Sequence, residues 1–162
     1  MRLLMRANAH RPVPEGDGPG GVEVASSPDT PGRPERWLWH MRLLDGAPAP
    51  SEGKVTLAMG QGRTLEVTVN TGAVRADVQL LDVTESELLD RDEKELVALI
   101  ASESVAVVEG RHVLHPSDTL VLEGDDPLRV SVRPANGHAS VAVVRLTSAT
   151  DGPHGMSVNW VP

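Results

Sequence analysis

The chain has six histidines, and their spacing limits the chemistry they can perform. A metal centre on a β strand needs a His-x-His pair, because successive side chains alternate sides and only a spacing of two puts both imidazoles on one face. No such pair occurs, and His112 and His115, three apart, point to opposite faces of a continuous strand before Pro116 starts a turn. The spacing therefore reads as surface or hydrogen-bonded histidines, with no metal and no other cofactor. Nucleophilic catalysis fares no better: there is no Gly-x-Ser-x-Gly elbow, and His115-Pro116-Ser117-Asp118 has the residue types of a turn. The carboxylates Glu85, Glu87, Asp90, Asp92, Glu93 and Glu95 form a charge run, the pattern of a solvated face and not of a paired acid and base. Glycines at 16, 18, 20 and 21 could cradle a phosphate only between a strand and a helix, and neither is expected there, so they read as a flexible loop. No catalytic residue emerges, and the reading points away from an enzyme.

The elements that must position any site are strands. Leu65, Val67 and Val69 alternate with Glu66, Thr68 and Asn70, and Leu128, Val130 and Val132 alternate with Arg129, Ser131 and Arg133, the period-two pattern of strands with one wet face. Ala139 to Leu146 is apolar on both faces and reads as a central strand. Asn70-Thr71-Gly72, Gly124-Asp125, Pro127 and Asn136-Gly137 supply turns short enough for antiparallel hairpins. The two patterned segments echo each other as strand, Gly turn and long apolar strand, which suggests two similar β halves: residues 1–84 and 96–162, with a connector at 85–95. Within Thr84 to Glu95 a capping-box pattern at Thr84 and Glu87, followed by Leu88, Leu89 and Leu96, predicts a single helical turn. Residues 8–35 carry six prolines and the Gly cluster, which excludes regular helix and predicts a surface arm, with an edge strand at Gly21 to Ala25.

Length and composition fit one domain over residues 1–162, since a chain of about 150 residues buries roughly 68–70% of its unfolded surface. With no Tyr or Phe, the core must be built from Val, Leu, Ala, Ile and Met around Trp37, Trp39 and Trp160, and Trp39 is expected inside. The absence of cysteine suits a reducing compartment, and Met1 to Pro12 lacks a signal-peptide apolar run, so the chain reads as cytoplasmic. No apolar run approaches the roughly 20 residues of a spanning helix. A net charge of −8 and scattered arginines argue against nucleic acid as a partner, as the lack of a membrane segment does against a membrane.

Four segments carry a resemblance to the HutD/Ves family: Met1-Arg2-Leu3-Leu4, Glu23-Val24-Ala25-Ser26-Ser27-Pro28, Trp37-Leu38-Trp39-His40-Met41-Arg42 and Asp77-Val78-Gln79-Leu80-Leu81. They occur in order, and the second half, with Glu109-Gly110-Arg111-His112 and Asp118-Thr119-Leu120, resembles that family's C-terminal strands. The resemblance implies an all-β, cupin-like antiparallel barrel or sandwich with two similar halves, and a link to histidine utilisation or stress response. It is a divergent and shortened member that is implied. The family's Asn-Gly-Gly-Gly run and following Thr become Gly16-Asp17-Gly18-Pro19-Gly20-Gly21 and Val22, its Trp-Arg becomes Trp39-His40, and its Asp-x-Asn-x-Met becomes Asp77-Val78-Gln79-Leu80-Leu81. A further hairpin is missing between Met59 and Arg63.

A loop such as 16–21 can lid a pocket at the mouth of a β barrel, where small ligands commonly bind. The polar groups expected around it are Glu23, His40, Arg42, Arg63, Asp77 and Gln79. Arg42 or Arg63 would take a ligand carboxylate in a bidentate contact, while His40 and Gln79 orient it. Strand alternation puts His40 and Arg42 on one face and Trp37, Trp39 and Met41 on the other. The expected partner is thus a small anionic metabolite. Two alternatives stand beside this reading: a metal-dependent cupin-type isomerase or oxygenase using His112, His115 and a carboxylate, and an interaction module or homodimer working through a sheet face.

Overall fold

The computed structural model describes residues 3–16, 18–27 and 38–149. Among them the regular elements are strands, apart from one 3-10 turn at Ala7–Ala9. The all-β, antiparallel, cupin-like architecture expected from the sequence is the one the chain adopts. Three sheets are stacked. The central sheet has the spatial order β1 (Leu3–Met5), β12 (Thr119–Leu122), β9 (Leu96–Ala101), β14 (Ala139–Ser148) and β7 (Val74–Val83). One outer sheet runs β2 (Arg11–Pro12), β3 (Gly21–Ser26), β4 (Trp39–Leu44), β6 (Thr64–Val69) and β5 (Lys54–Ala58). The other runs β11 (His112–Leu114), β10 (Ala106–Val108), β13 (Arg129–Pro134) and β8 (Glu87–Asp90).

Strands that read as apolar on both faces are in the central sheet, because that sheet is covered on both sides. Ala98, Ile100, Ala142, Val144 and Leu146 pack with Trp39, Met41, Leu43, Leu65 and Val67 of the β3–β6 sheet. Their neighbours Val97, Leu99, Ala101, Val141 and Val143 pack the other way, on Ala106, Val108, Leu114, Val130 and Val132. Each buried Leu, Ile or Val contributes roughly 1.5–3 kcal/mol relative to exposure, so losing either cover would strand a full row of such side chains in water. Trp39 is 1% exposed, as its alternation required. Trp37 and Trp160 lie outside the described residues.

The internal echo corresponds to two equivalent units: Thr64, Val74 and Val83 correspond to Arg129, Ala139 and Ser148, each 65 positions later. The sequence pattern had matched Leu65 to Leu128, two residues too early. Leu128 precedes its strand and is 44% exposed, and Val130 occupies the equivalent place. A slip of two keeps every side chain on its face, so alternation is blind to it.

The helical turn expected within Thr84 to Glu95 is absent. Glu87–Asp90 is strand β8, paired with β13 in the register Leu89 with Val130 and Glu87 with Val132. As a strand, the Leu88-Leu89 pair splits, Leu89 toward the core and Leu88 to solvent at 62% exposure, and the ladder satisfies backbone groups on the open side of β13. The turn that follows is held by Arg91, whose guanidinium donates to the carbonyls of Asp92, Glu95, Gly124 and Asp126.

The Pro- and Gly-rich arm is fastened at its start. The buried Asp118 carboxylate accepts from the Arg6 guanidinium and the Ala7 N–H, each at 2.8 Å, and from the His115 N–H at 3.0 Å. Burial opposes ionisation of Asp118, but these three hydrogen bonds and the Arg6 charge outweigh it and hold the carboxyl below its usual range. Farther on, Gly21–Ser26 forms a strand as expected, though second from the edge, since β2 pairs outside it over two residues.

Candidate functional site

The site is built on the outward face of the β3–β6 sheet. Alternation along β4 sends Trp39, Met41 and Leu43 into the core and turns His40 and Arg42 outward. The ladder registers then place Glu23, Arg42, Glu66 and Thr56 in one row and Ser26, His40, Thr68 and Lys54 in the next. A bulge between Glu23 and Ala25 lets Val24 and Ala25 both face the core while Glu23 still meets Arg42.

An outer sheet face is ordinarily wet, yet the Glu66 side chain is only 3% exposed. The reason is a roof. Val13, Pro14, Gly16, Gly18 and Pro19 of the arm and the Ala47–Pro48–Ala49 loop stand over the face, leaving a cleft of about 440 Å³ whose floor is Arg42, Leu44, Lys54 and Glu66. The roof is tied down by hydrogen bonds from the Val13 N–H to Gly21 O and from the Asp45 N–H to Gly20 O, and by the approach of Pro19 to Gly46.

Charge in the cleft is balanced but loosely paired. Arg42 reaches Glu23 at 3.4 Å and Lys54 reaches Glu66 at 3.6 Å, both longer than a close charge-assisted hydrogen bond. The Thr68 hydroxyl lies 3.5 Å from Glu66 Oε1 as a further donor. Among the described residues the buried Nε of Arg42 has no hydrogen-bond partner. His40, one row over, is pushed down to about 4 by burial first and then by the positive charges of Arg42 and Lys54, so it is neutral at pH 7. This arrangement can take a small ligand that offers an acceptor to Arg42 and Lys54.

Of the six residues expected to line a pocket, Arg42 alone lines this cleft, with Glu23 and His40 beside it on the same sheet face. Arg63 is elsewhere, in the β5–β6 turn, where its guanidinium bonds the Ser117 hydroxyl. Asp77 and Gln79 are exposed on β7, in register with Arg145 and Val143 of β14. Lys54 and Glu66 were missed. Glu66 had a signal, since it occupies the wet position of an alternating strand, but nothing local indicated that a distant arm would cover it. Lys54, one of two lysines in the chain, could have been noticed on rarity alone.

His112 and His115 do not converge. His112 Nε2 lies 3.7 Å from Glu109 Oε2, and the His115 N–H bonds Asp118. Among the described residues no group of three or more His, Asp or Glu side chains is placed to hold a metal ion. No helix among them is long and apolar enough to cross a membrane.

No protein-family model and no curated protein sequence matches the chain. Its fold is shared with solved structures. One is a conserved protein of unknown function from Pseudomonas aeruginosa PAO1, with a TM-score of 0.67 at 19% identity, over 91% of this chain and 99% of that one. Another is HutD from Pseudomonas fluorescens SBW25, in a formate condition, with a TM-score of 0.64 at 15% identity, over 93% of this chain and 100% of that one. Likeness over 91–93% of this chain shows that the fold is shared.

Proposed function

We propose that this chain is a HutD/Ves-type protein of the cytoplasm, linked to histidine utilisation, that binds a small anionic metabolite without a metal in the cleft floored by Arg42, Lys54 and Glu66. The observation that carries the reading is the state of Arg42: among the described residues its Nε has no hydrogen-bond partner and its one carboxylate contact is long, on the floor of a roofed cleft of ligand size. A carboxylate ligand takes the Arg42 guanidinium in a bidentate contact, draws on the Lys54 ammonium, and presents a donor to Glu66. Giving up Glu23 costs little, since a part-exposed ion pair is worth about 0–1 kcal/mol, while a bidentate charge-assisted pair is the stronger contact. Neutral His40 adds no competing charge. The fold held in common with HutD supports the family placement, and the sequence resemblance at Glu23 to Pro28 and Trp37 to Arg42 supports it further.

Thermal denaturation against formate, urocanate, glutamate and formylglutamate, each with and without chelator, tests the proposal. A ligand at 100 times its Kd adds about 2.7 kcal/mol, which at about 2–4 °C per kcal/mol is a rise of several degrees in Tm. The expected result is such a rise with one acid, unaffected by chelator and lost in Arg42→Met. A chain that responds to no acid, or an Arg42→Met variant that responds as the wild type does, overturns it.

A further inference from the structure

Glu66 is a second buried group on the cleft floor, and its capacity is largely unused. The residue is 2% exposed, and a carboxylate taken out of water needs close partners, having about four acceptor sites to fill. Among the described residues it meets the Lys54 ammonium at 3.6 Å and the Thr68 hydroxyl at 3.5 Å. Close charge-assisted contacts are about 2.7–2.9 Å. A buried polar group this loosely held in a native fold calls for a partner, and the cleft is the space into which one can come.

Position and charge together define that partner. Arg42 and Glu66 face each other directly across β4 and β6, so their Cβ atoms are about 4.5–5.5 Å apart. A ligand that reaches both must present its acceptor and its donor close together. The floor and its rim carry two cations, Arg42 and Lys54, and two carboxylates, Glu23 and Glu66. A plain acid brings a third negative group toward Glu66, and like charges repel more strongly beside a buried carboxylate than in bulk water. An acid that also carries an ammonium keeps the charges matched and gives Glu66 a charged donor. The described walls and roof make no such distinction, since Val13, Pro14, Pro19, Leu44, Ala47 and Pro48 are uncharged.

Given the carboxylate contact proposed for Arg42, on which this step rests, we propose that the acid taken by the cleft is a free α-amino acid. Its carboxylate sits on Arg42 and Lys54 and its α-ammonium on Glu66, which makes Glu66 the residue that selects the amino group. The α-nitrogen is attached to the same carbon as the carboxylate, the close spacing that two groups facing each other across adjacent strands require.

Calorimetric titration of the full chain with amino acids and with the acids that lack the amino group tests this: glutamate against glutarate, leucine against isocaproate, and histidine against imidazolepropionate. In the pair that binds most tightly, the amino acid should be favoured by at least about tenfold, the effect of one hydrogen bond between charged groups. Glu66→Gln should abolish that preference while still binding the deaminated acid. N-acetylation of the amino acid, which removes the ammonium charge, should weaken binding to the wild-type chain by a similar factor, and this comparison decides if Glu66→Gln does not fold. Deaminated acids that bind as tightly as the amino acids, and lose binding in Arg42→Met, would overturn the α-amino acid and leave the carboxylate site standing. A folded Glu66→Gln protein that keeps the preference, or N-acetyl forms that bind as well as the free amino acids, would overturn it too. A chain that binds none of these ligands would remove both the amino acid and the carboxylate site.

Discussion

Each outer sheet contributes the first strand of the same strand–turn–strand unit, the two units lying 65 positions apart, but the outward faces of the two sheets have different surroundings. In the first unit Glu66 points outward yet is buried, with Lys54 as its ion partner beneath the Pro- and Gly-rich arm. Its equivalent in the second unit, Ser131, is half-buried, and close by an Arg129–Asp90 ion pair stands open to solvent, with side chains 65% and 68% exposed. The inward faces differ far less: Leu65 and Val67 on one side and Val130 and Val132 on the other all reach the central sheet. Burial of the inward face is demanded by the core, whereas the outward face became a cleft only where a separate stretch of chain came to lie on it.

The largest expected effect tests the shared part of that comparison. Leu99 and Ile100 are neighbours on β9, facing opposite cores, and both are fully buried. Leu99→Ala and Ile100→Ala should each cost about 3 kcal/mol in urea denaturation, within the 2–5 kcal/mol range of such truncations. If one were nearly neutral, the central sheet would be covered on one side only and the equivalence of the halves would fail.

A smaller effect distinguishes the roofed face by pH. His40 is held near pKa 4 in the fold, against about 6.5 unfolded, so the unfolded chain binds the extra proton between those values. Stability contributed by neutral His40 is present above pH 6.5 and is lost as pH falls toward 4. With a discount for partial exposure, the loss should be about 2 kcal/mol. His40→Gln should flatten that limb of the stability profile while leaving the carboxylate-driven loss at lower pH, to which Asp118 contributes as its own salt-bridged form is protonated. An unchanged slope between pH 6.5 and 4 in His40→Gln would show that this imidazole is not the buried neutral group.

The smallest effect compares the outward faces directly. Glu66→Gln leaves Lys54 without its carboxylate and should cost about 1 kcal/mol, while Ser131→Ala should fall within about 0.5 kcal/mol of the wild type. Equal effects at the two positions would remove the distinction between a roofed and an open face.

Much of the fold was legible because it follows from local periodicity. Trp39 lies inside and His40 and Arg42 outside because adjacent strand residues cannot share a face. The doubly apolar stretch from Ala139 to Leu146 was legible as central for the same reason. The helical turn expected near Glu87 failed because a capping pattern and three leucines fit a short strand equally well, and the unpaired side of β13 settled the choice. The candidate site was legible only in the part that one hairpin provides. Glu23, His40 and Arg42 meet on adjacent strands, whereas Arg63, Asp77 and Gln79 were grouped with them by their chemistry, and the fold carries them to a turn and an exposed edge.

The sequence alone determined the fold class, the inward and outward sides of the clearly alternating strands, and the absence of a His-x-His pair, because each of these depends on residues at most a few positions apart. Tertiary structure decided that Glu66 is buried, that the Nε of Arg42 has no hydrogen-bond partner among the described residues, and that the units match at an offset of 65. These depend on which distant segment comes to lie against a given strand. Alternation along a strand specifies a face, but what covers that face or pairs with that edge is set by packing of the whole chain.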